Sequence, residues 1–432
     1  MGLVNLRAVG TTTHEGGASI PLTKEQQLRR AVMCCMLWEN QFYESGQSIA
    51  DRITQLASVV PVLTVQQIAR DAKHKFKLRH VPLLLLTILA ERKAAPKELI
   101  ADLITRVDDL TELLSLYWLK GKKPIPAQMK KGLALAFAKF DEYQFAKYNR
   151  AKAIKLRDVI RLAHPKPKDD AQKDLWKRLI AGELKTPYTW ETELSAGKDK
   201  KEVFTALLSE NKLGALAFLR NLRNMLEAGV DIGLMRSALA KSKKDRILPY
   251  QFIAAAKYAP SLEPDIESSM LECLAGKDRL FGNTILLVDV SGSMDDKISA
   301  KSELTRLDAA CGLAIILREQ CESCRVITFS STAVEVPPRR GFALKDAINQ
   351  SQPHGGTALG GAIDLINKTT KYDRIIVITD EQARDSVNAP HGLGYMVNVA
   401  SYQHAVGFGP WVRVDGWSEA IIDFITESEK AD

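Results

Sequence analysis

Residues 284–294 read Thr284-Ile-Leu-Leu-Val-Asp289-Val-Ser291-Gly-Ser293-Met294, and this stretch decides the fold of the C-terminal part of the chain. A short apolar run interrupted by one acidic residue is typical of a central parallel strand that is buried on both faces. The Asp-x-Ser-x-Ser pattern then places one carboxylate and two hydroxyls, all hard oxygen donors, in a single loop. Hard oxygens with room for water suit Mg²⁺. The stretch therefore predicts a buried strand with a magnesium site at its end.

Two further segments supply oxygen donors to the same site. Gly355-Gly356-Thr357 is a glycine loop that ends in a hydroxyl, and the buried-strand pattern at 374–379 ends in Asp380. The carboxyl ends of parallel strands open on one edge of a sheet, where ligands bind. The combination resembles the metal-ion-dependent adhesion site of von Willebrand factor A domains, with ligands Asp289, Ser291, Ser293, Thr357 and Asp380. That resemblance implies Mg²⁺ or another divalent cation with a position open to a partner's carboxylate. The alternative is an ion that only fixes the loops.

The chain before this domain has the pattern of stacked helices. Apolar stripes at helical spacing follow one another for more than two hundred residues, starting with a capping box at Thr23 and Gln26. The spacing predicts medium-length helices, among them 48–59, 126–147 and 154–163, joined by short loops as in a helical solenoid. From 283 onward strands alternate with helices, which predicts a doubly wound α/β domain. The predicted fold class is α plus α/β: an N-terminal arm at 1–20, a HEAT-like helical-repeat domain at 21–280 and a von Willebrand A-type domain at 281–432.

Charge is divided unevenly between these parts. The 432 residues carry a net charge of +8, whereas residues 281–432 carry −6, so residues 1–280 carry +14. This asymmetry favours a polyanionic partner for the helical part, nucleic acid before membrane, although solvated lysine-rich helix faces would give the same count. Six cysteines without framework spacing favour a reducing compartment. With no signal-peptide pattern and no apolar run long enough to span a bilayer, we expect a cytoplasmic protein without membrane contact.

The most informative helical segment lies at 145–168. At 100° per residue, Leu156, Val159, Ile160 and Ala163 share one face of a helix, and Arg157 and Arg161 lie on the opposite face. The neighbouring residues add further cations, an aromatic ring and a histidine at the helix end: Lys147, Tyr148, Arg150 and His164. Cations for phosphates and rings for stacking suit single-stranded RNA. A solvated helix face ending in a capping histidine is the alternative.

Three segments together resemble the TROVE module of the Ro ribonucleoproteins, which is followed there by a von Willebrand A domain. They are Lys147 to Pro167, Leu216 to Met225 (which contains Arg220 and Arg223) and Arg246 to Gln251. The compact length favours a bacterial or phage member. The resemblance implies a monomeric ring of helical pairs, with Y RNA on its basic outer surface and single-stranded 3′ ends of misfolded RNA in its central channel. It also implies a possible exoribonuclease partner, such as polynucleotide phosphorylase, and places RNA contacts at Lys147, at His164 and near Arg150.

The sequence therefore predicts a noncatalytic RNA-binding protein that acts in RNA quality control or processing. Two alternatives remain open. Asp289 and Asp380 could form a Mg²⁺-dependent nuclease site, although no P-loop and no second acidic pair accompany them. The helical repeats could instead form a scaffold that binds only protein.

Overall fold

The computed structural model describes residues 12–19, 21–35, 37, 39–40, 45–149, 153–244, 247, 249–274, 279–400, 402, 405–407, 409–416 and 420–430. The chain divides into two compact units, one formed by residues 1–49 and 199–432 and the other by residues 50–198. Helix α1 (Lys24–Met33) lies in the first unit, and α2 (Gly46–Val59) crosses the boundary. The predicted capping box is confirmed, because the Thr23 side chain accepts from the backbone of Gln26 and the Gln26 side chain accepts from that of Thr23.

The unit at 50–198 contains helices and no strands among its described residues. Its helices are α3 (Val62–Arg70), α4 (Val81–Glu91), α5 (Lys97–Leu103), α6 (Val107–Tyr117), α7 (Ala127–Phe137), α8 (Glu142–Tyr148), α9 (Leu156–Ala163), α10 (Asp170–Ala181) and α11 (Trp190–Ser195). From α3 to α10 the helices pack against the next but one: α3 contacts α5, α5 contacts α7 and α7 contacts α9, while α4 contacts α6, α6 contacts α8 and α8 contacts α10. Two rows of helices result, which is the packing of stacked helical pairs.

The helical pattern continues in the first unit. It comprises α12 (Lys200–Ser209), α13 (Ala215–Glu227), α14 (Ile232–Lys241), α15 (Pro249–Tyr258) and α16 (Glu263–Glu272). Here too α12 contacts α14, α14 contacts α16 and α13 contacts α15. None of the described helices is both long and apolar enough to cross a membrane.

A six-stranded sheet follows, with the order β3-β2-β1-β4-β5-β6. Its strands are β1 (Leu280–Asp289), β2 (Cys321–Phe329), β3 (Ala333–Glu335), β4 (Arg374–Thr379), β5 (Leu393–Asn398) and β6 (Val412–Asp415). All pairs are parallel except the edge pair of β2 and β3. The helices between and after the strands are α17 (Arg306–Gln320), α18 (Gly341–Asn349), α19 (Leu359–Thr369) and α20 (Ala420–Lys430).

The sheet places the predicted metal site at its topological switch point. Strand β1 pairs with β2 on one side and with β4 on the other, so the chain order reverses between β1 and β4. Residues 285–290 are all buried, as the apolar run predicts. Asp289 and Asp380 therefore end two adjacent parallel strands on the carboxyl edge, where open α/β sheets bind ligands.

The structure confirms the predicted fold class of a helical region followed by an α/β domain, but one element prediction is wrong. The predicted helix at 126–147 is two helices, α7 and α8, because Asp141 caps a new helix start with Gln144.

Candidate metal site and RNA-binding surface

Asp289 is fully buried at the end of β1, and both of its carboxylate oxygens accept hydrogen bonds. The Ser291 backbone N–H donates to Oδ1 at 2.8 Å, and the Thr379 hydroxyl donates to Oδ2 at 2.5 Å. Burial, followed by the charge of nearby Asp380, raises the pKa of Asp289 to about 7. Two buried carboxylates this close together are costly unless a cation lies near them.

The hydroxyl donors lie on two loops that contact each other. The Oγ atoms of Ser291 and Ser293 are 3.3 Å apart. The Gly292 backbone N–H donates to the Gly355 carbonyl at 3.0 Å, which joins the Asp-x-Ser-x-Ser loop to the glycine loop. Thr357 follows on that loop and is buried. The loop contact thus brings four of the five predicted ligands to one part of the sheet edge.

Asp380, the fifth predicted ligand, contacts an arginine that sequence reasoning missed. Arg306 opens α17, is 1% exposed and has its Nη1 3.5 Å from Oδ2 of Asp380. The same Nη1 donates to the Ser293 carbonyl at 3.0 Å. A guanidinium therefore bridges Asp380 to the serine loop. No periodicity or motif around Arg306 distinguishes it from a surface residue at a helix start.

The donor chemistry of this edge fits a hard divalent cation. The side chains are two carboxylates and three hydroxyls, which is an all-oxygen set with few charged members, and such sets leave places for water on Mg²⁺. In the described part of the chain, no three or more His, Cys, Asp and Glu side chains cluster to hold a metal. A metal at this edge would thus depend on the hydroxyls, and the metal assignment stays a prediction.

The N-terminal segment packs on the loop that follows Asp380. The Thr13 hydroxyl donates to the Ala383 carbonyl at 2.7 Å, and a Cβ on Gly17 would lie 2.2 Å from that same oxygen, so only glycine allows this approach. Arg30 of α1 is buried and pairs with Glu381 at 3.2 Å. Burial raises the pKa of Glu381, and the charge of Arg30 opposes that shift. Thr13, Gly17 and Arg30 thereby stabilise the backbone that follows Asp380.

Helix α9 presents the predicted cations to solvent. Leu156, Val159 and Ala163 are buried and Ile160 is half-buried, whereas Arg157 and Arg161 are exposed on the other face. Neither arginine forms an ion pair with any residue that the structure describes. The face assignment made from helical spacing is confirmed, while the RNA-binding role of these residues stays a prediction.

Lys147 and Tyr148 lie at the end of α8, which is separated from α9 by residues 149–155, so the two helices are not continuous. Both residues are half-buried. The Arg106 guanidinium lies 5.0 Å from the centre of the Tyr148 ring, and Lys147 Nζ lies 5.9 Å from it. Tyr148 is therefore already in cation–π contact within the protein. Arg150 lies outside the described residues.

His164 caps the C-terminal end of α9 through its backbone rather than through its side chain. Its φ of 49° is left-handed, and its N–H donates to the Ile160 carbonyl at 2.9 Å. The imidazole is exposed. Such a φ is uncommon for a residue other than glycine, and it directs the chain away from the helix while the ring stays accessible.

Arg220 and Arg223 project from α13 in the other unit. Both are exposed, and Arg223 donates to Glu227 at 2.8 Å and lies 5.8 Å from the centre of the Tyr258 ring. Arg223 thus has partners of its own within the protein, unlike Arg157 and Arg161.

Two adjoining clefts bring cations together in the unit at 50–198. The larger, of about 680 Å³, has Lys147 and Lys185 in its wall, and the smaller, of about 220 Å³, has Lys155 and Arg157. They share Asn149 and Gly182. Sequence reasoning missed Lys155 and Lys185, since neither lies on a periodic helix face with the others.

Comparisons with known proteins agree with this architecture. Residues 172–272 match the model of the TROVE domain, and residues 284–382 match that of the von Willebrand factor type A domain. The basic segment at 147–167 lies before the first match, so that match gives no support to an RNA-binding role for its residues.

Among curated relatives, telomerase protein component 1 of Mus musculus is 34% identical over 214 residues, which are 45% of this chain and 8% of that protein. The Rattus norvegicus protein is 33% identical over 102 residues, which are 22% of this chain and 4% of its own length. The chain thus spans less than a tenth of the length of these relatives.

The crystal structure of the Ro (RSR) protein of Deinococcus radiodurans superposes with a TM-score of 0.59 at 18% identity, covering 94% of this chain and 99% of that one. At this identity the likeness shows the fold. The TROVE match, the type A match that follows it and the shared fold agree with the resemblance that the sequence motifs indicate. The chain thus carries a match to the TROVE domain at 172–272, followed by a match to the von Willebrand factor type A domain at 284–382, on a fold like that of the Ro (RSR) protein.

Proposed function

We propose that this protein binds small structured noncoding RNAs of the Y RNA type, and the single-stranded 3′ ends of misfolded RNAs, without cleaving them. The observation that carries the proposal is the pair of adjoining clefts, which place Lys147, Lys185, Lys155 and Arg157 in one region. Arg161 follows Arg157 by one turn on the exposed face of α9. Such a cluster suits a phosphate backbone, because neutralising phosphates releases counterions and favours binding.

The proposal is tested with a hairpin RNA that carries a single-stranded 3′ tail. We expect the wild-type protein to bind it, and Lys147→Ala/Arg157→Ala to bind about tenfold more weakly, since both substitutions remove phosphate contacts. Arg325→Ala/Arg340→Ala is the matched control, because these arginines are exposed and already paired with Glu335 and Glu319. Equal affinity for all three proteins would contradict the proposal.

The same incubation distinguishes RNA binding from catalysis. With Mg²⁺ present, we expect the RNA to remain intact, whereas cleavage products would favour the nuclease. Capture of partners that resists ribonuclease treatment would favour the protein-only scaffold. Threading of a 3′ end through a central channel, an exoribonuclease partner and the cytoplasmic location stay predictions.

We further propose that Asp289, Ser291, Ser293, Thr357 and Asp380 hold Mg²⁺. Support comes from the all-oxygen donor set and from the two buried carboxylates. The ion would supply a coordination position for a carboxylate of a protein partner. A variant such as Asp289→Ala that keeps RNA affinity but loses a protein partner supports this adhesion role. A variant that keeps both supports an ion that only fixes the loops.

A further inference from the structure

The larger cleft of the unit at 50–198 contains an acid among its cations. The cleft lies between the end of α8 and the segment that leads into α11, and it has a volume of about 680 Å³. Lys147 and Lys185 line it together with hydroxyl side chains and one carboxylate, that of Glu191. A site that bound only a phosphate backbone would not need a carboxylate, which repels phosphate.

Glu191 has an oxygen for which the described residues supply no hydrogen-bond donor. It occupies the second position of α11, and its Oε2 is buried. Among the described residues, none donates a hydrogen bond to this atom. A buried carboxylate oxygen without a donor is costly, so a ligand that supplies N–H groups would gain a charge-assisted hydrogen bond here.

The chemistry of the four bases distinguishes among such ligands. An ionised carboxylate only accepts hydrogen bonds. The Watson–Crick edge of guanine offers two adjacent donors, the ring N1–H and the amino group, which match a carboxylate. Adenine and cytosine each offer an amino donor beside a ring nitrogen acceptor, and uracil offers one N–H between two carbonyls, so a carboxylate at those edges meets a repelling atom.

Neighbouring residues supply what the rest of a nucleotide needs. Lys147 and Lys185 in the cleft, with Lys155 and Arg157 in the adjoining one, offer cations for the phosphates on either side of a bound base. Tyr143 of α8 is 50% exposed. The pKa of its phenol is raised by burial and then by the charge of Glu191. An exposed ring on α8, the helix whose end lines the cleft, offers a surface for base stacking.

We propose that this cleft binds an unpaired guanine of RNA, with its Watson–Crick edge donating to Glu191 and its flanking phosphates contacting Lys147 and Lys185. The inference rests on the proposed RNA-binding function and adds a base preference to it. Sequence-specific RNA recognition targets unpaired bases whose Watson–Crick edges are free, which is the state this cleft requires.

The test compares short oligouridine probes that carry one central guanosine, adenosine or cytidine. We expect the wild-type protein to bind the guanosine probe about tenfold more tightly than the other two. Glu191→Gln replaces one carboxylate oxygen by an NH2 group, which donates instead of accepting, so the side chain can no longer accept both guanine donors. The affinities of this variant for the three probes should fall within about twofold of one another. Competition by guanosine monophosphate against adenosine monophosphate on the wild-type protein tests the same preference without any variant.

Glu193→Gln is the matched control, because Glu193 lies on the same helix but pairs with Lys198. It should keep the guanosine preference. Equal affinity of the wild-type protein for the three probes, or a preference that Glu191→Gln leaves intact, would overturn this inference while RNA binding itself stands. Failure of the wild-type protein to bind any of these probes or the tailed hairpin would overturn the proposed function as well.

Discussion

The exposed cations around α9 and the buried acids at the sheet edge carry opposite charges and lie in opposite environments. Arg157 and Arg161 face solvent with no ion-pair partner among the described residues, whereas Asp289 and Asp380 are fully buried and hydrogen-bonded. A buried charge must be satisfied by the fold, so its removal changes stability. An exposed, unpaired charge contributes little to stability, so it is available for a ligand.

The largest expected effect is on stability at the buried edge. Arg30→Met removes the partner of Glu381, which is itself fully buried. Leaving a buried carboxylate uncompensated costs about 3–5 kcal/mol. We expect the free energy of unfolding in urea to fall by that amount.

Arg157→Met is the matched control for Arg30→Met. It makes the same chemical change at an exposed position and should alter the free energy of unfolding by less than about 0.5 kcal/mol. Equal effects of the two substitutions would show that burial does not distinguish these arginines.

The second effect concerns RNA affinity at the exposed face. Arg157→Ala/Arg161→Ala should weaken binding of the tailed hairpin about tenfold at physiological salt, because two phosphate contacts are lost. The melting temperature should stay unchanged. A fall in melting temperature together with affinity would mean that the arginines stabilise the unit rather than bind RNA.

The third effect is a response to Mg²⁺. Asp289→Asn removes one of two mutually repelling buried carboxylates, so the variant without metal should be at least as stable as the wild type. Mg²⁺ should stabilise the wild type by about 2.7 kcal/mol at a hundredfold excess over its dissociation constant, and should not stabilise the variant. Equal stabilisation of both proteins by Mg²⁺ would place the ion elsewhere.

The smallest effect is expected at α13. Arg223 already pairs with Glu227 on the exposed surface of α13. Arg223→Ala should therefore change RNA affinity by less than about threefold, and the free energy of unfolding by less than about 0.5 kcal/mol. A tenfold loss of affinity in a filter-binding assay would instead extend the RNA-binding surface to α13.

Local sequence predicted what local physics determines. The apolar run at 284–290 gave the central strand, the spacing of Leu156, Val159 and Ala163 gave the buried face of α9, and Thr23 with Gln26 gave a helix start. Each of these features depends on residues within one or two turns, or on the burial of a single strand.

Contacts between distant segments were not predictable from one sequence. Arg306 meets Asp380 across 74 residues, Arg30 meets Glu381 across 351, and Glu191 and Lys147 line the same cleft from α11 and α8. Nothing in the local pattern of these residues marks them, because a charged residue near a helix end is usually solvated. The break between α7 and α8 was not predicted because the apolar stripe continues across the break. The capping pair at Asp141 and Gln144, which starts α8, is the local signal that marks it.

The most direct test of the central claim is the salt dependence of RNA affinity for the wild type and for Asp289→Asn. In this account, exposed cations of the helical unit hold RNA and the buried acids serve another purpose. The logarithm of the association constant for RNA should then fall steeply with the logarithm of the salt concentration, with a slope of about −0.7 to −0.9 for each phosphate contact. The slope should be the same in both proteins. A slope near zero, or loss of RNA binding in Asp289→Asn, would contradict the account.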